Sequence, residues 1–182
     1  MNEIARTSVA VFGSSQALRD SPHYRLAGEL GRALGARGAE VRCGGYGGVM
    51  EAVADGVKAG GGSVVGCTLA WFRETREPHE HLDTIEEAAD LHARIDCLLR
   101  GARAAVVLPG GVGTLNELFW VWTLLLYDRD DGPEALVLLG DPWRELLDTL
   151  GRRFEFTVPI LELVRVADNA EAAAAIACAR RE

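Results

Sequence analysis

The chain has 182 residues, of which 48% are hydrophobic and 25% are charged, and it contains 21 glycines. This length and composition are typical of one folded domain over residues 1–182 rather than of a disordered or multidomain protein. The formal net charge of -8 excludes a general role on nucleic acid or on a membrane surface, because both need a basic face.

Short apolar runs alternate along the chain with longer segments of helical periodicity. The runs predicted as strands are 8–13, 39–44, 63–69, 104–109, 135–140 and 163–168. The segments predicted as helices are 23–38, 49–61, 84–102, 114–130, 142–156 and 169–181. This alternation predicts an α/β fold with a mostly parallel sheet that is covered by helices on both faces.

One segment, residues 70–83, is polar and irregular and contains Pro78, His79 and His81. It follows the third predicted strand, so we expect it near the carboxyl edge of the sheet, where doubly wound folds bind ligands. Two interpretations stay open, a lid over a ligand and a solvated surface excursion.

The helical segment 117–127, ELFWVWTLLLY, is apolar on nearly every side, with Trp120 and Trp122 pointing in different directions. A helix of this kind must be buried on more than one side. We expect a partner subunit to cover the second side in a homodimer. A single deep core helix is the alternative.

Lys58 is the only lysine among the 19 basic residues. The chain has no Gly-Lys-[Ser/Thr] sequence for a P-loop, and only Lys58 could form a Schiff base with pyridoxal phosphate. Because Lys58 lies in an ordinary amphipathic segment, neither chemistry is expected.

The four cysteines are widely spaced, and none forms a C-x-x-C pair: Cys43, Cys67, Cys97 and Cys178. Three of them lie in apolar segments typical of buried free thiols. We therefore expect neither a zinc site nor a disulfide framework. The N-terminal segment does not have the pattern of a signal peptide, and no run reaches the length of a membrane span, so we expect a cytoplasmic protein.

Two glycine-rich stretches follow the same rule, CGGYGGVME at 43–51 and PGGVGTLNE at 109–117. Each follows a predicted strand and opens a helix, where glycines permit a sharp turn and the first helical amides face outward. Phosphate is the expected ligand at such a place. Neither stretch has the third glycine of the dinucleotide fingerprint, so NAD and FAD are not expected.

The glutamates that end these stretches have two interpretations. Thr114-Leu-Asn-Glu117 has the pattern of a capping box, in which Glu117 bonds back to the start of its helix, and Glu51 has the analogous place after Gly48. A carboxylate beside an anion site would repel a phosphate, however. This conflict favours glutamates that address a sugar or a water.

Four other polar residues are candidates for ligand contact. Arg94 could offer a fork to a phosphate or carboxylate, and Ser14 and Ser15 follow the first predicted strand. For Arg94 the alternative is a solvated surface charge. Ser14 and Ser15 could instead cap the next helix, and His92 has a surface or cap position as its ordinary interpretation.

Four segments together resemble the Lonely Guy (LOG) family, also described as possible lysine decarboxylases: VFGSS at 11–15, CGGYGGVMEAVADGVKAGGGSVVG at 43–66, LHAR at 91–94 and PGGVGTLNE at 109–117. The resemblance runs from about residue 8 to residue 168. It implies a Rossmann-like three-layer α/β/α homodimer with the active site near the interface. The implied activity is hydrolysis of the N-glycosidic bond of adenosine-type 5′-monophosphates, including N6-modified cytokinin precursors, without cofactor or metal.

The same resemblance implies roles by position. The loop of Gly110, Gly111, Gly113 and Thr114 would hold the 5′-phosphate. Glu117 would face the ribose and stabilise an oxocarbenium-like transition state or activate water, while Arg94 would orient the substrate and help the base depart. The other residues implied to line the cleft are Gly44, Gly45, Gly47, Gly48, Glu51, Ser14, Ser15 and His92.

The chain departs from the family pattern at Ala93, Ile95 and Asn116, where members often have Glu, Lys and Glu. Its first glycine loop is closer to superfamily members that bind nucleotides or carry molybdenum cofactor. A non-catalytic nucleotide-binding protein or molybdenum-cofactor carrier is therefore the alternative function. Retention of Arg94 and Glu117 favours the hydrolase.

Overall fold

The computed structural model describes residues 7–127 and 132–179. Its strands are β1 (Ser8–Phe12), β2 (Glu40–Cys43), β3 (Ser63–Leu69), β4 (Thr84–Ala88), β5 (Ala102–Val107), β6 (Ala135–Leu139) and β7 (Val164–Ala167). They form one sheet in the order β4-β3-β2-β1-β5-β6-β7, and each neighbouring pair is parallel. The predicted α/β fold with a parallel sheet is confirmed.

Helices cover both faces of this sheet. They are α1 (Pro22–Ala36), α2 (Val49–Gly60), α3 (Leu91–Leu99), α4 (Val112–Leu126), α5 (Trp143–Arg153), α6 (Val158–Leu161) and α7 (Ala170–Cys178), with a 3-10 turn at Ala70–Phe72. One apolar core joins the sheet to α1, α2 and α7, and a second core on the other face joins it to α3, α4 and α5. The helices predicted at 114–130 and 169–181 extend past the described residues at 128–130 and 180–181.

Local sequence explains where α1 begins. Ser21 is its N-cap, and the Ser21 hydroxyl accepts a hydrogen bond from the Tyr24 amide at 3.2 Å. Pro22 follows at the first helical position, where its missing N–H costs nothing. Among the helices within 7–127 and 132–179, none has the length and apolar character needed to cross a bilayer.

The prediction of a helix that starts at Thr84 is wrong, because Thr84–Ala88 is the edge strand β4. Glutamate and alanine favour helices on their own, but here the backbone pairs with β3. Glu86 of this strand contacts Arg42 at 2.8 Å and Arg100 at 2.7 Å. Since the Arg42 side chain is buried, its need for a carboxylate partner helps to hold the edge strand in place.

The expectation of free thiols is wrong for two cysteines. Cys67 of β3 and Cys97 of α3 form a disulfide, with their Cα atoms 6.0 Å apart, a separation within the normal range for a bridge. The two residues are 30 positions apart in the sequence, and only the packing of α3 on β3 brings them together. Cys43 is a free thiol, and burial raises its pKa to about 11.

The chain reverses its direction across the sheet between β1 and β5. Strands β1 to β4 follow one another towards one edge, whereas β5 to β7 run towards the other. The connections that follow β1 and β5 therefore lead to opposite sides, and a crevice opens between them at the carboxyl ends of the strands. The segment VFGSS and both glycine stretches lie at this end of the sheet.

Candidate functional site

A cleft of about 470 Å³ occupies this crevice. Its lining includes the last residues of β1, the start of α4 and side chains from α2 and α3. Eight of the residues implied by the family resemblance line it: Ser14, Ser15, Gly44, Arg94, Gly111, Gly113, Thr114 and Glu117. The structure thus brings together residues that are up to 103 positions apart, from Ser14 to Glu117.

Arg94 and Glu117 face each other in this cleft. Arg94 Nη1 lies 3.7 Å from Glu117 Oε1, and the two side chains are only 16% and 14% exposed. The guanidinium is also held by backbone carbonyls, because Nε donates to Cys67 O at 2.9 Å and Nη2 donates to Gly44 O at 3.4 Å. These bonds fix the orientation of Arg94 towards the carboxyl group.

Glu117 supplies the single carboxyl group among the described residues that line the cleft, and its pKa is strongly shifted. Burial raises its pKa from 4.5 to about 7, while the positive charge of Arg94 acts in the opposite direction. A carboxyl with a pKa near neutrality can exist in both protonation states at physiological pH. Such a group is suited to proton transfer or to stabilising positive charge.

The capping-box interpretation of Glu117 is wrong. Helix α4 has Gly111 as its N-cap, with no side-chain capping bond, so the observed N-cap lies three residues before the predicted N-cap at Thr114. Thr114 is therefore the third helical residue, and Glu117 lies in the second turn, beyond reach of the helix start. Its carboxyl group instead faces Arg94 in the cleft.

The two glycine stretches differ in the groups that contact the first backbone amides of the helices that follow them. At α2 the first amide, from Val49, donates to Ser14 O at 2.9 Å. Gly48 has a φ of +71° there, and a Cβ at this position would lie 2.4 Å from the same oxygen. At α4 no side chain caps the first amides, and this end lines the cleft. The start of α4 is therefore open to the cleft, whereas the loop after β1 occupies the start of α2 through Ser14 O.

Six of the residues implied by the resemblance lie outside the cleft lining: Gly45, Gly47, Gly48, Glu51, His92 and Gly110. Glu51 pairs with Arg19. The ring of His92 stands edge-on to Trp120, with centroids 6.2 Å apart. Gly110 lies under α4, where a Cβ would approach Thr114 Oγ1 to 2.1 Å. Ligand contact by these six stays a prediction.

Sequence reasoning missed one wall of the cleft, which is formed by Tyr46, Met50, Phe72 and Arg76. The rings of Tyr46 and Phe72 meet edge-on with centroids 5.9 Å apart, and the Arg76 guanidinium lies 4.4 Å from the Phe72 centroid. Phe72 and Arg76 belong to the irregular segment 70–83. The segment therefore borders the cleft, and its role as a lid stays a prediction.

A second recess of about 320 Å³ lies beside the Arg94–Glu117 pair. Apart from that pair, its walls are mainly apolar: Leu91, Ile95, Leu98 and Val112. Val112 is 87% exposed and Leu91 is 55% exposed at its rim, and Trp120 on the same helix as Val112 is 39% exposed. Trp122, in contrast, is buried, which confirms that the two tryptophans point in different directions.

Lys58 lies away from the cleft. It is on α2 and forms an ion pair with Asp83. Because it is the only lysine of the chain, none of the cleft residues could form a Schiff base with pyridoxal phosphate.

Comparison with known proteins places this geometry in context. Residues 50–176 match the family model described as "Possible lysine decarboxylase". The "Cytokinin riboside 5′-monophosphate phosphoribohydrolase" of Mycobacterium marinum is 35% identical over 147 residues, which cover 78% of this chain and 74% of that protein. A "Probable cytokinin riboside 5′-monophosphate phosphoribohydrolase" of Oryza sativa subsp. japonica is 32% identical over 149 residues. The match covers 81% of this chain but only 59% of the rice protein.

Solved structures share the fold. The molybdenum cofactor binding protein from Rippkaea orientalis has a TM-score of 0.70 at 22% identity, with 93% of each chain covered. The molybdenum cofactor carrier protein from Chlamydomonas reinhardtii has a TM-score of 0.67 at 23% identity, with 94% of this chain and 96% of that chain covered. At this level of identity the similarity concerns the Rossmann-like architecture.

Proposed function

The chain belongs to the family described as possible lysine decarboxylases, and on that premise we propose that it hydrolyses the N-glycosidic bond of an adenosine-type nucleoside 5′-monophosphate. The products are the free base and ribose 5-phosphate. The observation that carries the proposal is the partly buried Arg94–Glu117 pair, 3.7 Å apart, beside the uncapped start of α4. The names of the plant and mycobacterial relatives support the same activity.

The start of α4 binds the 5′-phosphate in this proposal. The amides of Val112, Gly113 and Thr114 have no partner inside the helix, and the positive end of the helix dipole lies behind them. Gly111 and Gly113 have open space where a Cβ would be, so the phosphate can approach the backbone closely. Arg94 is near enough to this end to contribute a further positive charge.

Glu117 acts on the ribose in its ionised form. Water adds to C1′ while the bond from C1′ to the base nitrogen breaks, and the electron pair of that bond leaves with the base, which takes up a proton. The carboxylate stabilises the positive charge that develops on the ribose, or it accepts a proton from the attacking water. Arg94 orients the substrate, and its positive charge favours the ionised form of the Glu117 carboxyl group.

The apolar recess accommodates a substituent on the base. Leu91, Ile95, Leu98 and Val112 would contact an apolar N6 group favourably, and the Arg94–Glu117 pair lies between this recess and the main cleft. N6-modified adenosine monophosphates, the cytokinin precursors, are therefore included in the proposed substrates. The pathway served would be cytokinin activation.

The decisive experiment incubates the full chain with AMP and with N6-isopentenyl-AMP and separates the products by chromatography. Release of free base together with ribose 5-phosphate supports the proposal. If the nucleotides bind but emerge intact, the hydrolase is excluded. An intact nucleotide or molybdopterin that copurifies with such an inactive chain would establish the alternative, a carrier.

Gly44→Ala is expected to reduce base release about tenfold or more, because small displacements of a catalytic group are costly, with little loss of stability. A Cβ at Gly44 would lie 2.1 Å from Arg94 Nη2 and 2.5 Å from Met50 Sδ, so both flexible side chains must move and Arg94 leaves its position beside Glu117. The measurement is kcat/KM together with the melting temperature. Gly28→Ala is the control, because a Cβ there has only an ordinary contact, 3.6 Å from Ala52 O. Unchanged activity in Gly44→Ala would show that the position of Arg94 does not matter.

We also propose that the chain forms a homodimer through the exposed apolar surface of Leu91, Val112 and Trp120, with the partner closing the recess near the active site. Trp120→Arg is then expected to convert the 19.6 kDa chain from dimer to monomer in sedimentation experiments at micromolar concentration. Trp71→Arg is the matched control, since Trp71 is also exposed but belongs to the 3-10 turn after β3 rather than to α4. A wild-type chain that sediments as a monomer would refute the dimer.

A cytoplasmic location is part of the proposal, and microscopy of a fluorescently tagged chain would test it. In a reducing cytoplasm, the Cys67–Cys97 bridge would be present mainly as two thiols.

A further inference from the structure

Three side chains outside the cleft converge on one point. His79 Nε2 lies 2.8 Å from Asp55 Oδ1, and His81 Nδ1 lies 2.5 Å from the same oxygen. All three potential ligand atoms are within 4.8 Å of one another. Asp55 belongs to α2, whereas both histidines belong to the irregular segment 70–83.

We propose that Asp55, His79 and His81 form a binding site for a divalent transition-metal ion, with zinc as the preferred ion. Two imidazoles and one carboxylate are a common ligand set for zinc, which takes three protein ligands and keeps a fourth position for water in open sites. The site supplies one negative charge to a doubly positive ion. The absence of a metal site expected from the sequence does not take this cluster into account, because nothing in the sequence reveals that α2 meets this segment.

The cluster is partly organised before any metal arrives. The His79 side chain is only 13% exposed, and its backbone N–H donates to Gly45 O at 2.9 Å. The ring is therefore held by the surrounding structure, which lowers the entropic cost of binding. His81 is 51% exposed and Asp55 is 41% exposed, so the remaining coordination position is open to solvent and an ion can enter.

The site has a structural role rather than a catalytic one. A metal ion would tie α2 to the segment that also carries Phe72 and Arg76 of the cleft wall. The Lys58–Asp83 ion pair joins the same two elements one helical turn further along. None of the three ligands lines the cleft, so the ion would restrain one wall of the cleft without touching the substrate.

The test titrates zinc into the tag-free full chain, previously freed of metal, by calorimetry. We expect one zinc ion per chain and a rise in melting temperature. His79→Ala, His81→Ala and Asp55→Asn are each expected to weaken zinc binding by at least about tenfold, since even the hydrogen-bond partners of metal ligands are worth 10- to 100-fold in affinity. His23→Ala, at an exposed histidine of α1, is the matched control and should bind as the wild type does.

Cobalt(II) provides a second measurement, because its visible absorption bands report the ligand set. His79→Gln preserves side-chain size and hydrogen bonding, so its loss of metal binding with an unchanged circular dichroism spectrum separates ligation from folding. Wild type without zinc binding would overturn the proposal and leave a hydrogen-bonded triad only. Equal affinity in all three ligand variants would overturn it too, because the ion would then sit elsewhere. Neither outcome depends on whether the chain hydrolyses nucleotides.

Discussion

Glu117→Gln is expected to lower base release from AMP or N6-isopentenyl-AMP by about 10²- to 10⁴-fold, the range for loss of a group that transfers a proton in the transition state. Glutamine keeps the size of the side chain, but it cannot carry a negative charge towards the developing oxocarbenium ion. It also cannot accept a proton from water. Single-turnover measurements at pH 8, where the wild-type carboxyl is mostly ionised, give the largest contrast.

The same variant is expected to be more stable than the wild type at pH 8. The pKa of Glu117 is about 7 in the folded chain, compared with 4.5 ordinarily, so the folded state holds a proton that the unfolded state releases. The stability linked to this proton is fully present below about pH 4.5 and is lost as the pH rises through about 7. Glutamine removes the cost of a buried charge, about 1–3 kcal/mol at pH 8.

The check is a pair of melting curves for each protein. The difference in melting temperature between Glu117→Gln and wild type should be clear at pH 8 and should vanish near pH 4.5. Glu155→Gln, at an exposed glutamate, is the control and should show no such pH dependence. A glutamine variant that is less stable than the wild type at pH 8 would contradict the burial argument, and a fully active one would exclude Glu117 from the reaction.

Arg94→Gln is expected to lower kcat/KM by about 10²- to 10³-fold, as removal of one preorganised charged donor does in other active sites. It should also move the pH dependence. Wild-type activity should rise with pH to a midpoint near 7, because Glu117 acts as the ionised form and its pKa is about 7. The Arg94 charge lowers that pKa, so its removal moves the midpoint to higher pH.

Arg94→Lys separates charge from geometry. Lysine keeps the positive charge, so the midpoint should remain closer to that of the wild type. It cannot make the bonds of the guanidinium to Cys67 O and Gly44 O, so the rate should still fall. Arg165→Gln, at an exposed arginine of β7, is the control for charge removal. An identical pH midpoint in Arg94→Gln and wild type would show that Arg94 does not act on Glu117.

Strands could be predicted from the sequence where both of their faces are buried in the fold, because such strands consist mostly of apolar residues. All five residues of β1 are buried, and a nearly continuous apolar run of that length is typical of a buried parallel strand. Edge strand β4 was missed for the opposite reason. Thr84 and Ile85 are exposed and Glu86 is half-buried, so the strand lacks an apolar run, and its pairing with β3 and Arg42 depends on residues far away in the sequence.

The site could be predicted only in part. Arg94 and Glu117 carry family motifs, and both lie in the cleft. Tyr46 lies within the first glycine stretch, where nothing marks it for ligand contact, and Arg76 belongs to the irregular segment after β3 that borders the cleft. The Cys67–Cys97 pair and the Asp55–His79–His81 cluster likewise depend on which elements meet in space. The spacing of residues along the sequence does not predict such contacts.

The capping box shows a further limit of local patterns. Thr114 and Glu117 have the correct types and spacing, but glycine can begin a helix without a capping side chain, and Gly111 does so here. The helix therefore starts early enough to turn Glu117 away from its own N-terminus. A motif with a purely local explanation thereby supplies the acid of the cleft.

The position of the cleft at the reversal between β1 and β5 has a thermodynamic consequence. Ser14 comes from the first half of the chain and the Gly111–Glu117 segment from the second, so a nucleotide between them acts as a noncovalent cross-link of the two halves. Unfolding that parts β1 from β5 must release the ligand, which adds about 2.7 kcal/mol when its concentration is about 100 times the Kd. A bound nucleotide is therefore expected to slow proteolysis of the chain that proceeds through its unfolded state.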